Sequence, residues 1–255
     1  MGSMDTWESR DSYWPDMIAH DSTTKTFDIY RVDYHTGILR GVRVSRIIES
    51  LFRAMDLAEA MGKYKTIHFI AHSLGGIVVR NYLLALKSFR GHWALNQFRQ
   101  IILIGSPGGG SYLAAIASII DNNPQLRILL PINRNDYLEL LNDSWDGIVS
   151  KRRGICPTIL LTVAYEQSPI PGLGIVVTEE SATGYLSHEY GTWRAKGFER
   201  NHFNIVKSRY PDDPVYKWVN QAITECALGD ASGPCPIPKD LPPFCLKPSL
   251  SHRRN

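Results

Sequence analysis

Short apolar segments alternate along this chain with segments whose apolar residues recur every three or four positions. The short apolar runs predict buried strands, whereas the longer periodicity predicts amphipathic helices. We expect strands at 26–34, 66–71, 98–104 and 158–164, shorter strands at 175–178 and 192–196, and helices at 44–61, 74–86 and 215–226, with Gly62 ending the first helix. This alternation predicts an α/β fold, in which a mostly parallel sheet is covered by helices on both faces.

Length and composition allow one sizeable core. The chain has 255 residues, of which 44% are hydrophobic and 21% charged, and its net charge of +3 is spread along the sequence. A spread charge gives no case for nucleic-acid binding, and no apolar run approaches the ~20 residues that span a bilayer. The four cysteines form no C-x-x-C pair. The absence of a signal-peptide pattern favours the cytoplasm or an organelle over secretion, and the sequence leaves the oligomeric state open.

The domain organisation follows from two atypical segments. Residues 108–155 form a long excursion between predicted strands, with helix-like stretches at 112–120 and 136–141. Such an excursion is either a lid over an acyl chain or a set of helices that covers the sheet. Residues 227–255 hold six prolines and almost no periodicity, which predicts a disordered tail. We therefore expect one domain over residues 1–226.

The strongest chemical signal is the segment Ala71–Gly76 (AHSLGG), between a predicted strand and a predicted helix. A serine at a sharp strand-to-helix turn is exposed at the end of its strand, and the turn needs small residues such as Gly75 beside it. Ser73 is therefore the candidate nucleophile, and the Leu74 N–H the candidate oxyanion donor. The alternative is that Ser73 only caps the helix. His72 is expected to pack or hydrogen-bond within the turn.

The stretch Ile67–Arg80 (IHFIAHSLGGIVVR) resembles the α/β-hydrolase superfamily on its lipase and esterase side. It looks most like the serine-active-site-containing esterases and the GPI-inositol deacylase-like hydrolases. Weaker similarities follow in order over residues 5–216, namely DTW at 5–7, YWP at 13–15, the segment 105–111, ESA at 180–182 and NHF at 201–203. The resemblance implies an α/β-hydrolase fold with a catalytic serine, acid and histidine in that chain order.

The resemblance also implies where the base should lie. His202 is in a polar loop after the last short strand and before the final helix, where related hydrolases keep their base. His188 is the fallback candidate. His92 and His252 are less suitable candidates, because His92 comes too early, before the next strand, and His252 lies in the predicted tail.

The acid is less clearly marked. Glu166 follows the strand predicted at 158–164, at the end of which the fold is expected to carry a carboxylate. Many relatives instead keep an aspartate just before the next valine-rich strand, where this chain has the sequence GLG at 172–174. Glu166 is therefore the preferred acid, and Glu180 and Glu179 are the alternatives, each of which could also be an exposed strand end.

The resemblance implies a feature that this chain lacks. Relatives carry a His-Gly motif at the end of an early buried strand, and the next residue supplies a second oxyanion N–H. This sequence opens with MGSMDTW instead. We expect one or more N-terminal strands and half of the oxyanion hole to be absent, because of a late gene start or a cloning remnant at residues 2–4.

These features predict a serine hydrolase that cleaves hydrophobic carboxylic esters, lipid or otherwise, through an acyl-enzyme on Ser73. No motif calls for a metal or an organic cofactor, and the expected partner is a small-molecule or lipid ester. An acyltransferase or thioesterase could use the same three residues. A non-catalytic binding module, which keeps the turn around Ser73 only for its fold, is the remaining alternative.

Overall fold

A computed structural model describes residues 6–10, 12–33, 44–110, 136–149, 159–186 and 193–231. Within these ranges the strands are β1 (Glu8–Ser9), β2 (Ser12–Tyr13), β3 (Ile67–His72), β4 (Phe98–Ile104), β5 (Leu160–Glu166) and β6 (Trp193–Phe198). The α-helices there are α1 (Trp14–His20), α2 (Val44–Leu57), α3 (Ala60–Lys63), α4 (Leu74–Arg90), α5 (Asp136–Val149), α6 (Glu179–Thr183) and α7 (Pro214–Ala231). A 3₁₀ helix, His92–Gln97, precedes β4.

The four longer strands of the described ranges form one parallel sheet in the order β3-β4-β5-β6. The second strand, β4, is almost wholly buried, whereas the first four residues of the edge strand β3 are half-buried. Because all four strands run the same way, the segments that follow them lie at one edge of the sheet. The predicted α/β fold with a parallel sheet is confirmed.

Alternate residues of β4 face two separate hydrophobic layers. Ile101 and Leu103 belong to the core that contains buried residues of α2, α4 and α5. Ile102 and Ile104 belong to the core that contains buried residues of α1 and α7. This is the two-residue alternation of a strand that is buried on both faces. The expectation that helices cover both faces of the sheet is also confirmed.

Two of the predicted strands do not form. Residues 26–33, the described part of the strand expected at 26–34, have turns and irregular backbone, and residues 175–178 are also irregular. In the first segment, Asp28 accepts hydrogen bonds from Lys63 and Tyr64 at the surface. In the second, Val176 and Val177 have irregular backbone and bury their side chains in the core. The β-branched and aromatic residues of the first segment are mostly exposed, and those of the second are buried outside the sheet, so high β-propensity alone does not place a segment in a strand.

Helix ends differ from the sequence expectations in three places. The helix predicted at 44–61 stops at Leu57, because Glu59 takes a left-handed backbone conformation (φ 49°), and Gly62 lies inside the short helix α3. Helix α4 continues beyond residue 86 to Arg90. Helix α7 continues to Ala231, into the range assigned to the tail, and residues 232–255 lie outside the described residues.

A core helix lies in the described part of the long excursion. α5 covers 136–149, where only 136–141 was expected, and it places Leu138, Leu141, Trp145 and Ile148 in the same core as α4. This supports the covering-helix alternative for that segment. The helix expected at 112–120 lies outside the described residues. Among the helices of the described ranges, none is long and apolar enough to cross a membrane.

Two glycines provide a matched test of how α4 packs on the sheet. A Cβ at Gly76 would lie against Ser106 and 2.9 Å from Leu103 Cδ2, whereas a Cβ at Gly62 would meet no atom within 4 Å. We expect Gly76→Ala to lower the free energy of unfolding by about 1–3 kcal/mol through overpacking. Gly62→Ala should raise it by about 0.4–1 kcal/mol through the unfolded state. Urea unfolding of both variants checks this, and equal effects would contradict the packing described.

Candidate active site

Ser73 occupies a strained turn between β3 and α4. Its backbone angles are φ 53° and ψ −125°, and its N–H donates to the Ile104 carbonyl at 3.0 Å, which ties the turn to β4. A positive φ is costly for a residue with a Cβ and persists only where surrounding contacts impose it. The sequence pattern predicted this turn, although the tight contact between helix and sheet falls at Gly76.

A continuous series of hydrogen bonds joins Ser73, His202 and Glu166. His202 Nε2 lies 3.0 Å from Ser73 Oγ, and His202 Nδ1 lies 3.1 Å from Glu166 Oε1. The three residues are buried, with exposed fractions of 9%, 3% and 1% in the order Ser73, His202, Glu166. Because a carboxylate only accepts hydrogen bonds, Nδ1 carries the proton of a neutral imidazole and Nε2 accepts from the serine hydroxyl.

The three candidate acids differ in whether their carboxylate reaches His202. Glu166 is the last residue of β5, and its Oε1 also accepts the N–H of Val177, which holds the carboxylate in place. Glu179 and Glu180 are exposed in the first turn of α6. Of these candidates, Glu166 is the one whose carboxylate contacts His202 in the described structure.

The loop that carries His202 is shaped by its neighbour Asn201. The Asn201 Oδ1 atom accepts the backbone N–H groups of Phe203 at 3.1 Å and Asn204 at 3.0 Å. Such Asx turns are a local property of asparagine. Sequence reasoning noted Asn201 only as part of a resemblance, although an asparagine in a polar loop was a usable signal. The fallback base, His188, lies outside the described residues.

His72 is a neutral, buried neighbour of His202. Its Nε2 lies 3.0 Å from the His202 carbonyl oxygen and must donate to it, and the two rings are 4.9 Å apart. Burial lowers the pKa of His72 well below its ordinary value of 6.5, and the proximity of His202 lowers it further. His72 therefore holds the backbone of His202 in place through this hydrogen bond, which agrees with the hydrogen-bonding role expected from the sequence.

The candidate oxyanion donor lies beside the serine. Leu74 is the first residue of α4, so its N–H belongs to the helix end that has no intrahelical acceptor and carries partial positive charge. The second donor, which relatives take from the residue after an early strand, was expected to be absent here, and that expectation stays a prediction. The described residues hold no group of three or more His, Cys, Asp or Glu side chains that could bind a metal ion.

Comparison with known proteins finds similarity of structure at low sequence identity. No protein-family model and no curated protein sequence matches the chain. The phospholipase PlaB from Legionella pneumophila shares 16% identity with a TM-score of 0.48, over 67% of this chain and 38% of PlaB. This chain thus spans little more than a third of PlaB.

The match with two further solved structures extends over more of their length. The carboxylesterase CesB from Bacillus subtilis shares 12% identity with a TM-score of 0.49, over 88% of this chain and 81% of CesB. MGS-MChE2, an α/β hydrolase from the metagenome of lagoon sediments at Mar Chica, Morocco, shares 14% identity with a TM-score of 0.41, over 78% and 75% of the two chains. The resemblance to α/β hydrolases therefore concerns the fold.

The backbone strain at Ser73 can be measured by stability. We expect Ser73→Gly to be about 1 kcal/mol more stable than Ser73→Ala. Glycine adopts a positive φ without steric cost, and this gain exceeds the stability that glycine loses through its larger conformational entropy in the unfolded chain. Both variants lack the hydroxyl, so the pair isolates the backbone. Guanidinium unfolding of the two proteins provides the comparison. A glycine variant less stable than the alanine variant would show that the turn is unstrained.

Burial of neutral His72 predicts a pH-dependent stability. Below pH 6.5 the unfolded chain protonates this histidine while the folded chain does not, so the folded state loses stability as the pH falls. His72→Gln keeps a hydrogen-bond donor but lacks this proton. We expect the stability of the variant relative to wild type to rise by up to about 1.4 kcal/mol per pH unit below pH 6.5. Urea unfolding at several pH values tests this, and a constant difference would contradict it.

Proposed function

We propose that this protein is a serine hydrolase that cleaves carboxylic esters through an acyl-enzyme on Ser73. One observation carries the proposal: the unbroken series of hydrogen bonds from Ser73 Oγ through His202 to Glu166, which is buried along its length. These residues come from three separate segments, and their order along the chain is serine, acid, histidine. That combination of residue types and contacts is what activation of a serine hydroxyl requires.

Each side chain has a role that follows from its contacts. His202 Nε2 takes the Ser73 proton as Oγ attacks the ester carbonyl carbon, and the tetrahedral intermediate collapses as the protonated imidazole gives that proton to the leaving alkoxide. Glu166 stabilises the imidazolium through Nδ1 and keeps the ring oriented. Water then attacks the acyl-enzyme with His202 again as base, which releases the carboxylic acid and restores Ser73.

The intermediate needs a donor for its negative oxygen. The Leu74 N–H, at the start of α4, supplies one donor beside the reacting atoms. A single oxyanion donor is worth roughly 100- to 1000-fold in turnover. The strained turn fixes this donor relative to the hydroxyl before substrate binds, so no reorganisation is needed as charge develops.

An apolar group beside the base supports a hydrophobic ester. The Phe203 side chain follows His202 directly, its ring centroid lies 5.9 Å from the imidazole, and the residue is 45% exposed. An exposed aromatic side chain at this position offers a contact surface to an acyl or alkyl group. Transfer of the acyl group to an alcohol or thiol would use the same residues, and only the acceptor would differ.

Labelling with a fluorophosphonate tests the nucleophile. We expect one adduct per chain, mapped to Ser73 by peptide mass analysis, and none on Ser73→Ala. Glu166→Gln should fold but react about 10³–10⁴-fold more slowly, because the imidazole loses its orienting charge. The matched control Glu180→Gln changes an exposed carboxylate that does not contact His202, and should react like wild type.

The outcomes separate the candidate functions. A wild-type chain that is folded yet unlabelled would contradict an activated serine and favour a binding module. A labelled chain that releases free acid from short aryl esters supports hydrolysis, whereas one that forms new esters with added alcohols in preference to free acid is an acyltransferase. Equal slowing by Glu166→Gln and Glu180→Gln would contradict the assignment of the acid.

A further inference from the structure

Helix α4 carries a second functional candidate two turns beyond Ser73. Arg80 has an exposed fraction of 0%, although arginine is among the residues least often buried. Its Nη1 donates to Asn142 Oδ1 at 2.8 Å, and its guanidinium carbon lies 4.5 Å from the centre of the Tyr185 ring. Burial lowers the pKa of Arg80, but a guanidinium stays protonated in proteins. The interior therefore contains a full positive charge.

This charge has no counter-charge in the described residues. Arg80 Nε and Nη2 are buried without hydrogen-bond partners there, and no described carboxylate forms an ion pair with the side chain. Other arginines in the described ranges do pair with a carboxylate, namely Arg31, Arg90, Arg194 and Arg200. An uncompensated buried charge is strongly destabilising, so two unused donors on such a group indicate that an anion belongs beside them.

A third unused donor belongs to Tyr185, the residue whose ring the guanidinium faces. The Tyr185 hydroxyl is buried and has no hydrogen-bond partner among the described residues. Burial raises the pKa of Tyr185, so the phenol keeps its proton and can donate. A guanidinium edge with two N–H groups and a phenol hydroxyl together match the oxygens of a carboxylate or a phosphate.

These donors lie close to the glycine-rich segment that follows β4 and passes beside His202. Asn142 Nδ2 donates to the Gly108 carbonyl at 3.1 Å, and the Tyr185 ring lies so close to Gly108 that a Cβ there would overlap it. Gly105, which opens this segment after β4, would place a Cβ 3.3 Å from His202 Nδ1. Along α4, Arg80 is seven residues and thus roughly 10 Å from Ser73.

We propose that Arg80 and Tyr185 form a binding site for one anionic group, a carboxylate or a phosphate, roughly 10 Å from the nucleophile. Because Arg80 and the Tyr185 hydroxyl are both buried, neighbouring side chains must move for the anion to enter. The anion is a free ion or the charged end of an ester substrate, and the second source rests on the proposed function. Binding would fix the Gly105–Gly110 segment, since Asn142 and Tyr185 both contact Gly108.

Thermal unfolding with inorganic phosphate tests the site without reference to catalysis. Phosphate is titrated at constant ionic strength, with chloride as the balancing anion. We expect the wild-type Tm to rise with the logarithm of phosphate concentration, as for a ligand that binds only the folded state. Arg80→Met should fold, because an apolar side chain of similar length replaces an uncompensated buried charge, and should lose the phosphate-dependent rise. Arg90→Met, on the exposed end of the same helix, should keep it.

Two variants keep the test decisive if Arg80→Met is poorly folded. Arg80→Lys retains the charge but not the fork of N–H groups, and Tyr185→Phe removes only the hydroxyl. Each should weaken phosphate binding about tenfold or more, because each removes a hydrogen bond to a charged group. Phosphate responses equal to wild type in both variants, or no phosphate-dependent rise in wild type, would overturn the proposal.

Ester hydrolysis identifies the source of the anion. The substrates are the mono-p-nitrophenyl ester of a long dicarboxylic acid and the neutral p-nitrophenyl ester of the same chain length. A wild-type preference in kcat/KM for the anionic ester that Arg80→Met abolishes supports a substrate carboxylate. A Tm rise without that preference supports a free anion at the same site. Absence of hydrolysis of both esters would count against the proposed function. The anion site would then be tested by the phosphate-dependent Tm alone.

Discussion

The parallel pairing of β3, β4, β5 and β6 is the constraint on which the candidate site depends. Because the strands run in one direction, the residues that follow them meet at a single edge of the sheet. Ser73 follows β3, Glu166 ends β5, and His202 lies in the loop after β6. Residues separated by up to 129 positions are thereby brought into hydrogen-bond contact. A one-residue change of register in β5 would turn the carboxylate to the other face.

The buried polar residues at this edge of the sheet are each held by a hydrogen bond that involves a backbone group. The Val177 N–H holds Glu166, the His202 carbonyl accepts from His72, and the Ile104 carbonyl holds the Ser73 N–H. Helix α4 links two centres, since it begins directly after Ser73 and carries Arg80 on its buried face. The glycine segment after β4 lies between them. Packing on α4 therefore connects the turn at Ser73 with the proposed anion site at Arg80.

Local patterns in the sequence predicted the sheet strands 98–104 and 66–71 nearly to the residue, together with the turn at Ser73, because burial and periodicity encode these elements directly. The contact of Glu166 with His202 needed the register of β5 against β6, which no local pattern reveals. The strand expected at 175–178 failed because β-branched side chains can be buried without strand pairing, whereas the segment 26–33 is mostly exposed and packs at the surface. Arg80 was missed because a charged residue in a helix is normally exposed, although it lies four residues after Gly76 on the buried face.

The central claim is that Ser73 forms a covalent acyl intermediate with His202 as its base. Rapid-quench mass spectrometry during hydrolysis of a short p-nitrophenyl ester measures this directly. We expect a burst of p-nitrophenol close to one equivalent per chain and an acyl adduct on the peptide that contains Ser73. With His202→Ala, both the burst and the adduct should disappear. Turnover of the ester by a Ser73→Ala chain at the wild-type rate would contradict the account.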